Sequence, residues 1–549
     1  MLRVGVMLES LQTSAWVAYI LEELQRSPFA RVELVVLNTP APPQQKSFSK
    51  KLQAYWKLAL YSRYEQWDYQ RHRTEPDYRA ERNAAHVLEG VPQLKVEPIR
   101  KGFSDFFKDE DVAAIRDANL DVMLRFGFRI IRGPVLDTTR YGVWSFHHDD
   151  NLEYRGGPPL FWEIYEDNPV SGTVLQILTS ALDGGKVIYR SHSATHRRSL
   201  YRNRNPIYWK TAEFMLRRLC DLDTRGWGYI QSLPTYSEST PITPKIYRTP
   251  HAGQMLGFLA GQFSRAVRDS IRSRTRGAYT QWFLAMRRRS DDLPFATATG
   301  YRVLPVPADR FYADPMLVER DGRTWLFFED YRYDEKRALI SCYELAADGT
   351  PGEPFEVLRR PYHLSYPFVF EHAGQMYMIP ETRENSAVEL YRAEDFPRVW
   401  TFEKALLKNV SAVDATIHHD GQRFWMFVGL SSGRYSTCDE LALFFADDLH
   451  GPWQPHLNSP VVSDVRRARP AGALFREGGK LIRPSQDCAK AYGYALNFSE
   501  IVTLSPTDYE ERAVGRITPD WRPGNLGTHT YTRSADFEVI DGNLPKKLP

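Results

Sequence analysis

The amino-terminal third of the chain alternates short apolar runs with segments of helical period. Residues 3–8 (RVGVML) and 32–37 (VELVVL) are apolar and rich in valine, and the segment between them carries one apolar face of helical period. A strand, a helix and a strand at this spacing predict a βαβ unit and a parallel sheet. The pattern resumes with an amphipathic helix near 109–118 and with strands at 121–128 and 142–147.

From about residue 277 the pattern changes to short β runs joined by tight turns. Four segments share one pattern of strand, turn and strand: PMLVERDGRTWLFFED, PFVFEHAGQMYMIPET, ATIHHDGQRFWMFVGL and GALFREGGKLIRPSQD. Their turns recur about every 50 residues, as the turns of propeller blades do. A fifth turn is predicted at Asp541-Gly542. The strand 281–288 (QWFLAMRR) is predicted to pair with the C-terminal strands and to close a five-bladed ring.

With 549 residues the chain is too long for one core, and it is predicted to be a multidomain protein. An α/β, Rossmann-like domain is predicted over 1–232, with a helix-containing insertion at 41–95. A proline-rich linker and a basic helix follow over 233–276. An all-β, five-bladed propeller is predicted over 277–549.

Composition narrows the function and the location of the protein. A net charge of +3 argues against bulk nucleic-acid binding, and four cysteines without a CxxC pair argue against structural zinc and against a disulfide framework. The amino terminus has no signal-peptide pattern and no run is long enough to span a bilayer, so a cytoplasmic location is predicted. The basic region 265–289 indicates either contact with an anionic membrane surface, at the inner face of the membrane, or a helix docked between domains.

Residues 142–165, GVWSFHHDDNLEYRGGPPLFWEIY, and the later run 182–185 carry the clearest chemistry. A histidine just after a strand, a Tyr-Arg-Gly-Gly turn and a late Leu-Asp-Gly resemble the core of the formyltransferase family, which includes methionyl-tRNA, glycinamide-ribonucleotide and sugar N-formyltransferases. His147 corresponds to the family histidine and Asp183 to the family aspartate, at the interval usual in the family. Ser145 stands where the family has an asparagine.

Formyl transfer to an amine needs a base, a group that orients the base and donors for the oxyanion. His147 is the expected base, and Asp183 either orients it or accepts the proton through water. Ser145 and His148 are the expected oxyanion donors. The resemblance implies formyl-tetrahydrofolate as the donor. The remaining candidates are residues for binding the donor and one for binding the substrate: Phe126, Gly127, Phe128 and Asp149 for the donor, and Arg155 for the substrate. Asp149 and Asp150 either contact an aminosugar ammonium group or form a solvated loop.

The second half resembles the five-bladed propellers of furanosidase-type glycosidases. It resembles more closely the N-terminal domain of plant glucosamine inositolphosphorylceramide transferases, through ADP (313–315), HLSYPFVFE, MIPET, GPW and RPAG. In a propeller the innermost strands converge on the central axis. Seven residues are predicted there as glycan-binding candidates: Asp314, Tyr366, Asp414, Arg469 and His529, with Glu381 and Gln486 at the ends of following strands. Asp314, Glu381 and Asp414 would supply the carboxylates of a glycosidase, or the funnel only binds sugar.

Three hypotheses follow. In the first, the protein formylates the amine of a nucleotide-linked or lipid-linked aminosugar in polysaccharide or glycolipid biosynthesis, and the propeller binds glycan. In the second, the propeller is a glycosidase or another sugar-processing enzyme, and the formyltransferase fold is an accessory. In the third, neither site is catalytic and the protein is a scaffold for glycan assembly.

Overall fold

The fold is given by a computed structural model, which describes residues 1–39, 48–180, 185–233, 245–276, 279–290 and 294–546. The chain forms two compact units, Met1–Gln262 and Phe263–Pro549. The two units contain the two fold types that the sequence predicts, an α/β sheet domain and a β-propeller.

The first unit is built on a seven-stranded sheet. Its strands are β1 Leu2–Leu8, β2 Ala30–Asn38, β3 Gln93–Val96, β4 Val122–Arg125, β5 Val143–His147, β6 Val170–Ile177 and β7 Lys186–Ala194. Their spatial order is β7-β6-β5-β4-β1-β2-β3, in which β1 to β5 are all parallel, β6 is antiparallel to β5, and β7 is antiparallel to β6. The chain order reverses between β1 and β4, and the crevice at the carboxyl ends of such strands is where open α/β sheets bind ligands.

The helices are α1 Ala15–Arg26, α2 Phe48–His72, α3 Asp109–Asp117, α4 Trp162–Tyr165, α5 Leu200–Ser232 and α6 Ala252–Arg276, and the part of α6 from Phe263 onward belongs to the second unit. Of these, α1 and α5 pack on one face of the sheet and α3 packs on the other. Trp16 of α1 and Phe214 of α5 belong to the apolar core on one face, and Ile115 of α3 belongs to a separate core. The predicted βαβ unit and the helix near 109–118 are therefore confirmed.

Two details of the first unit differ in extent from the sequence pattern. The strand predicted over 121–128 ends at Arg125, because the chain turns there and Phe126 and Gly127 both donate their N–H groups to Met7 O, at 3.0 Å each. The predicted insertion at 41–95 contains α2, but its last three residues belong to β3 of the sheet, and residues 40–47 lie outside the described residues.

The predicted basic helix is α6. Its side chains Phe263, Val267 and Ile271 are exposed, although they are apolar. Contact of this region with a membrane surface stays a prediction. None of the helices in the described ranges is both long enough and apolar enough to cross a membrane.

The second unit is a propeller of five four-stranded blades. The strands of blades 1 to 5 are, from the inside outwards: Arg310–Arg320, Arg323–Arg332, Arg337–Leu345 and Phe355–Leu358; Ser365–His372, Gln375–Glu381, Ala387–Asp395 and Val399–Lys408; Ser411–His419, Phe424–Ser431, Leu441–Ala446 and Gln454–Pro455; Phe475–Glu477, Lys480–Asp487, Ala495–Leu504 and Tyr509–Ile517; Tyr531–Arg533, Phe537–Lys546, Tyr279–Arg288 and Arg302–Val303. The strand Tyr279–Arg288 pairs with Phe537–Lys546 and closes the ring, as predicted.

The prediction of a fifth turn at Asp541-Gly542 is wrong. Both residues lie inside the strand Phe537–Lys546, where Gly542 pairs with Phe283. A Cβ atom on Gly542 would come within 2.3 Å of the Phe283 ring, so the glycine serves close packing and not a turn.

Candidate functional site

A cavity of about 810 Å³ opens at the carboxyl ends of β4 and β5. Its polar lining includes Arg125, Ser145, His147 and Asp149. Its apolar lining includes Phe103, Ile130, Ile131, Leu178 and Tyr247. A second cavity, of about 450 Å³, shares Arg125 and Ser145 with the first. A largely apolar cleft of this size with a few convergent polar groups is typical of a small-molecule site.

His147 ends β5 with its imidazole in a defined state. Its Nε2 lies 2.9 Å from Tyr154 O, and because a carbonyl only accepts, Nε2 carries the proton of the neutral ring. The lone pair is then on Nδ1, which has no hydrogen-bond partner among the described residues. Asp149 Oδ2 lies 4.0 Å from Nε2, close enough to stabilise a positive charge on the ring. His147 is therefore arranged to accept a proton at Nδ1.

Asp149 and Glu163 are two buried carboxyl groups, and each affects the pKa of the other. Its Oδ1 accepts the Leu160 N–H at 2.6 Å, while burial and the charge of Glu163 raise its pKa well above the usual range. Burial also raises the pKa of Glu163, to about 8. At neutral pH at least one of the two groups therefore holds a proton. Glu163 lies in α4 within an otherwise apolar segment, and that position is the sequence signal that would have found it.

We expect a Glu163→Gln variant to lose part of the pH dependence of stability. Because the pKa of Glu163 is higher in the folded state, its protonation stabilises the fold fully below the usual carboxyl pKa of about 4.3, and this stabilisation is lost as the pH rises through about 8. By calorimetry the Tm of the unmodified protein should fall as the pH rises from about 5 to about 8, and that of the variant should fall less. Glu110→Gln, at an exposed position, is the control; parallel curves for all three proteins would contradict the assignment.

The loop that follows His147 is not solvated. Asp149, Asp150 and Asn151 are all buried, so the solvated-loop alternative is wrong. Although burial opposes it, the hydrogen bond from His192 and the charge of Arg190 lower the pKa of Asp150 to about 2. This network fixes the loop against β7 and leaves Asp149 facing His147.

The expected oxyanion donors are engaged inside the protein. Ser145 Oγ donates to Phe146 O at 3.3 Å and accepts from Arg125 Nη1 at 3.0 Å. The His148 ring is stacked on Tyr208, with centroids 3.8 Å apart, and burial lowers the pKa of His148 to about 3. His148 is therefore a neutral ring within an aromatic stack. Asp183, the expected orienting residue, lies outside the described residues.

The predicted donor-binding segment is also held within the fold. Besides the two amides bonded to Met7 O, Phe128 N donates to Glu9 Oε1 at 2.5 Å, and Phe128 O accepts from Arg125. A Cβ on Gly127 would lie 2.6 Å from the Glu9 nitrogen, so this glycine lets two chain segments approach closely. Arg155 lies in a short strand opposite Ile246, and its neighbour Gly156 lines the cavity. Its role in substrate binding stays a prediction.

The axis of the propeller brings all seven predicted residues together. Arg469 is the central cation: its Nε lies 2.6 Å from Asp414 Oδ2 and its Nη2 lies 3.3 Å from Glu381 Oε2. Gln486 donates to the same Asp414 oxygen at 2.9 Å. On the other side, Asp314 accepts from Tyr366 N at 3.2 Å and lies 3.5 Å from His529 Nε2.

Three of these residues share an uncommon backbone conformation. Asp314, Tyr366 and Asp414 have φ of 51°, 46° and 53°, each at a bulge at the same position in the innermost strand of blades 1 to 3. Left-handed conformations at residues other than glycine cost energy and concentrate at functional sites. Their repetition turns three side chains toward the axis.

Two further carboxyl groups at the axis were missed by the sequence reasoning. Glu329 pairs with Ala313 as Glu381 pairs with Ser365, so the alignment of the hairpins contained the signal. Burial and the charges of neighbouring carboxylates raise the pKa of Glu329 well above its usual range. Asp541, placed in the supposed turn, lies 2.5 Å from His529 Nδ1.

Burial and neighbouring charges shift the pKa values of ionisable groups at the axis. Burial raises the pKa of Glu381, and the charge of Asp414 adds to the effect while Arg469 opposes it. For His529 burial lowers the pKa, but the charges of Asp541 and Asp314 outweigh burial and raise it. The ligand atoms of Asp314, His529 and Asp541 lie within 4.8 Å of one another, so these three residues could hold a metal ion.

Comparison with known proteins separates the two halves. Residues 294–524 match the family model for the N-terminal region of glucosamine inositolphosphorylceramide transferase 1. That enzyme from Arabidopsis thaliana is 32% identical over 222 residues, which are 40% of this chain and 29% of the plant protein. The chain therefore spans less than a third of this relative.

Two other similarities involve a formyltransferase and a glycosidase. Methionyl-tRNA formyltransferase of Parabacteroides distasonis is 26% identical over 106 residues, 19% of this chain and 31% of that protein. The catalytic domain of a GH62 alpha-L-arabinofuranosidase from Coprinopsis cinerea is 12% identical, with a TM-score of 0.32, over 42% of this chain and 90% of that structure. The chain thus combines a formyltransferase-like N-terminal region with a propeller that matches the N-terminal family of the plant glycolipid transferases.

Proposed function

We propose that the N-terminal unit transfers a formyl group from formyl-tetrahydrofolate to the amine of a nucleotide-linked or lipid-linked aminosugar, and that the propeller binds glycan. The observation that carries the proposal is His147, whose Nε2–H is held by Tyr154 O and whose Nδ1 is available beside a cavity of about 810 Å³. Similarity to methionyl-tRNA formyltransferase supports the reaction class. The glucosamine and the lipid in the relatives' name support the acceptor class.

Different residues of the cavity would bind the donor, accept the proton and stabilise the charge in such a transfer. The donor supplies the formyl carbon, and the apolar wall of Ile130, Ile131 and Leu178 suits its flat ring system. His147 takes the proton of the attacking amine at Nδ1. As the ring becomes positive, its Nε2–H bond to Tyr154 O strengthens, and Asp149 stabilises the charge when it is ionised.

The experiment that tests this proposal is direct. Purified protein is incubated with formyl-tetrahydrofolate and a panel of nucleotide aminosugars and glucosamine-bearing lipids, and the products are analysed by mass spectrometry. We expect a mass gain of one formyl group on one class of acceptor. Absence of this gain with every acceptor would contradict the proposal.

The second candidate function, a sugar-processing propeller, is favoured by one specific observation. Five carboxyl groups meet at the axis, and the pKa values of two of them, Glu329 and Glu381, are raised well above the usual range by burial. A raised carboxyl pKa is what a general acid needs near neutral pH. Under this hypothesis Asp314→Asn abolishes turnover of arabinosyl and xylosyl oligosaccharides.

Asp321→Asn is the matched control for that variant, because Asp321 lies at the exposed turn of the same blade. Equal turnover in both variants would contradict a catalytic role for Asp314. Glycan binding without turnover in either variant would favour a binding propeller. A chain that is inert in both the formyl-transfer and the glycosidase assay, yet binds glycan, would support the scaffold hypothesis.

A further inference from the structure

Arg125 is a cation at the centre of the N-terminal site. It ends β4 opposite Ser145 of β5 and lines both cavities. Its half-buried guanidinium donates to neutral oxygens only: Nη1 to Ser145 Oγ at 3.0 Å, Nη2 to Phe128 O at 2.9 Å, and Nε to Arg129 O at 3.1 Å. A charged side chain is unexpected at the end of a central parallel strand, which is otherwise apolar here.

No carboxylate of the described residues forms an ion pair with this guanidinium. The negative charges that act on it belong to Asp105 and Glu9, and both are bonded elsewhere, to the N–H groups of Arg129 and Phe128. Removal from water lowers the pKa of Arg125, and these two charges only partly oppose the effect. A desolvated cation without a counterion attracts an anion into its cavity.

One N–H group of Arg125 is left over after its hydrogen bonds to the described residues are counted. A guanidinium carries five N–H groups, two of them on Nη1. One N–H of Nη1 is bonded to Ser145, and the other has no acceptor among the described residues. Ser145 donates its only hydrogen to Phe146 O, so in this pair it is Arg125 that still offers an N–H group to the cavity beside His147.

We propose that Arg125 Nη1 binds the formyl oxygen and stabilises the oxyanion that forms on it, an inference that rests on the proposed formyl transfer. The amine nitrogen forms a bond to the formyl carbon, the carbonyl π pair moves to the oxygen, and His147 takes the amine proton. When the intermediate collapses, the C=O bond re-forms, the bond to the donor's nitrogen breaks, and that nitrogen receives the proton. The guanidinium therefore acts on kcat, since the charge exists only between these steps.

The test compares Arg125→Gln with Arg116→Gln, an exposed arginine at the end of α3. We expect kcat for formyl transfer to fall about 10²- to 10³-fold in Arg125→Gln, with the KM of the amine within about threefold of the original value. Arg116→Gln should leave both constants unchanged. Because Arg125 also holds the carbonyls of residues 128 and 129, Arg125→Ala is assayed with and without millimolar methylguanidinium, which should restore turnover only if the guanidinium acts in the reaction.

The outcomes separate this inference from the proposed function. An active protein whose kcat is unchanged in Arg125→Gln would overturn the inference and leave formyl transfer intact. A raised KM with unchanged kcat would mean that Arg125 binds an anionic group of the ground-state substrate, which also overturns it. Failure of methylguanidinium to restore any turnover would assign Arg125 a structural role. A wild-type protein that formylates no acceptor would overturn the function itself.

Discussion

Replacement of His147 by glutamine is expected to lower kcat for formyl transfer by about 10²- to 10⁴-fold. The glutamine amide nitrogen reaches about as far as Nε2, so it can keep the hydrogen bond to Tyr154 O while the basic nitrogen is lost. The fold of the cavity should therefore survive, and the loss should be confined to proton transfer. Initial rates of formylated product, measured by mass spectrometry, give the comparison.

His86→Gln is the matched control, because His86 is exposed on a turn of the same unit. It should retain the full rate and the same Tm as the unmodified protein. Equal rates for His147→Gln and His86→Gln would show that His147 is not the base. A lower Tm in His147→Gln alone would instead assign its hydrogen bond to Tyr154 a structural role.

The architecture was readable from the sequence wherever periodicity and burial agree. The β-branched runs that became β1 and β2 flank the apolar face that became α1, and the repeated hairpins became blades. Tyr279–Arg288 was predicted to close the ring, and it does so by pairing with Phe537–Lys546 at the other end of the propeller sequence. The sequence did not reveal that Asp541-Gly542 lies inside a strand, because the same dipeptide makes a hairpin turn at Asp321-Gly322. In the structure Gly322 has φ of 73° at its turn, whereas Gly542 lies in a strand against the Phe283 ring.

Site residues were predictable where their position in a strand identifies them, and were not where their role depends on contacts with other segments. The repeated hairpins identified the residues at the axis. The same alignment places Glu329 opposite Ala313, but Glu329 was not predicted as a site residue. Arg125 was missed because a sequence does not show that the nearby carboxylates of Glu9 and Asp105 bind backbone N–H groups and do not pair with its guanidinium. Ser145 was assigned as a donor from its chemistry, but its single hydrogen is spent on Phe146 O. Hydrogen-bond direction of this kind has no signature in a sequence.

We expect the second large effect in the propeller, where Arg469→Met should destabilise the blades by about 3–5 kcal/mol. Removal of the arginine leaves Asp414 and Glu381 buried, with Gln486 as the remaining hydrogen-bond donor to Asp414. Amide hydrogen exchange of the strands Ser411–His419 and Phe424–Ser431 reports the local opening free energy without assuming that the whole chain unfolds in one step. Arg476→Met, at an exposed position of blade 4, is the control.

The pH dependence of that loss identifies its electrostatic origin. In the intact protein the pKa of Glu381 is already raised by burial and by Asp414, with Arg469 opposing. Without Arg469 the pKa rises further, so protonation at lower pH neutralises the buried charge. The difference in stability between Arg469→Met and the unmodified propeller should therefore narrow as the pH falls from about 8 to about 5. A difference that stays constant over this range would mean that the arginine stabilises the blades by packing against Tyr492, over whose ring its guanidinium lies, and not by its charge.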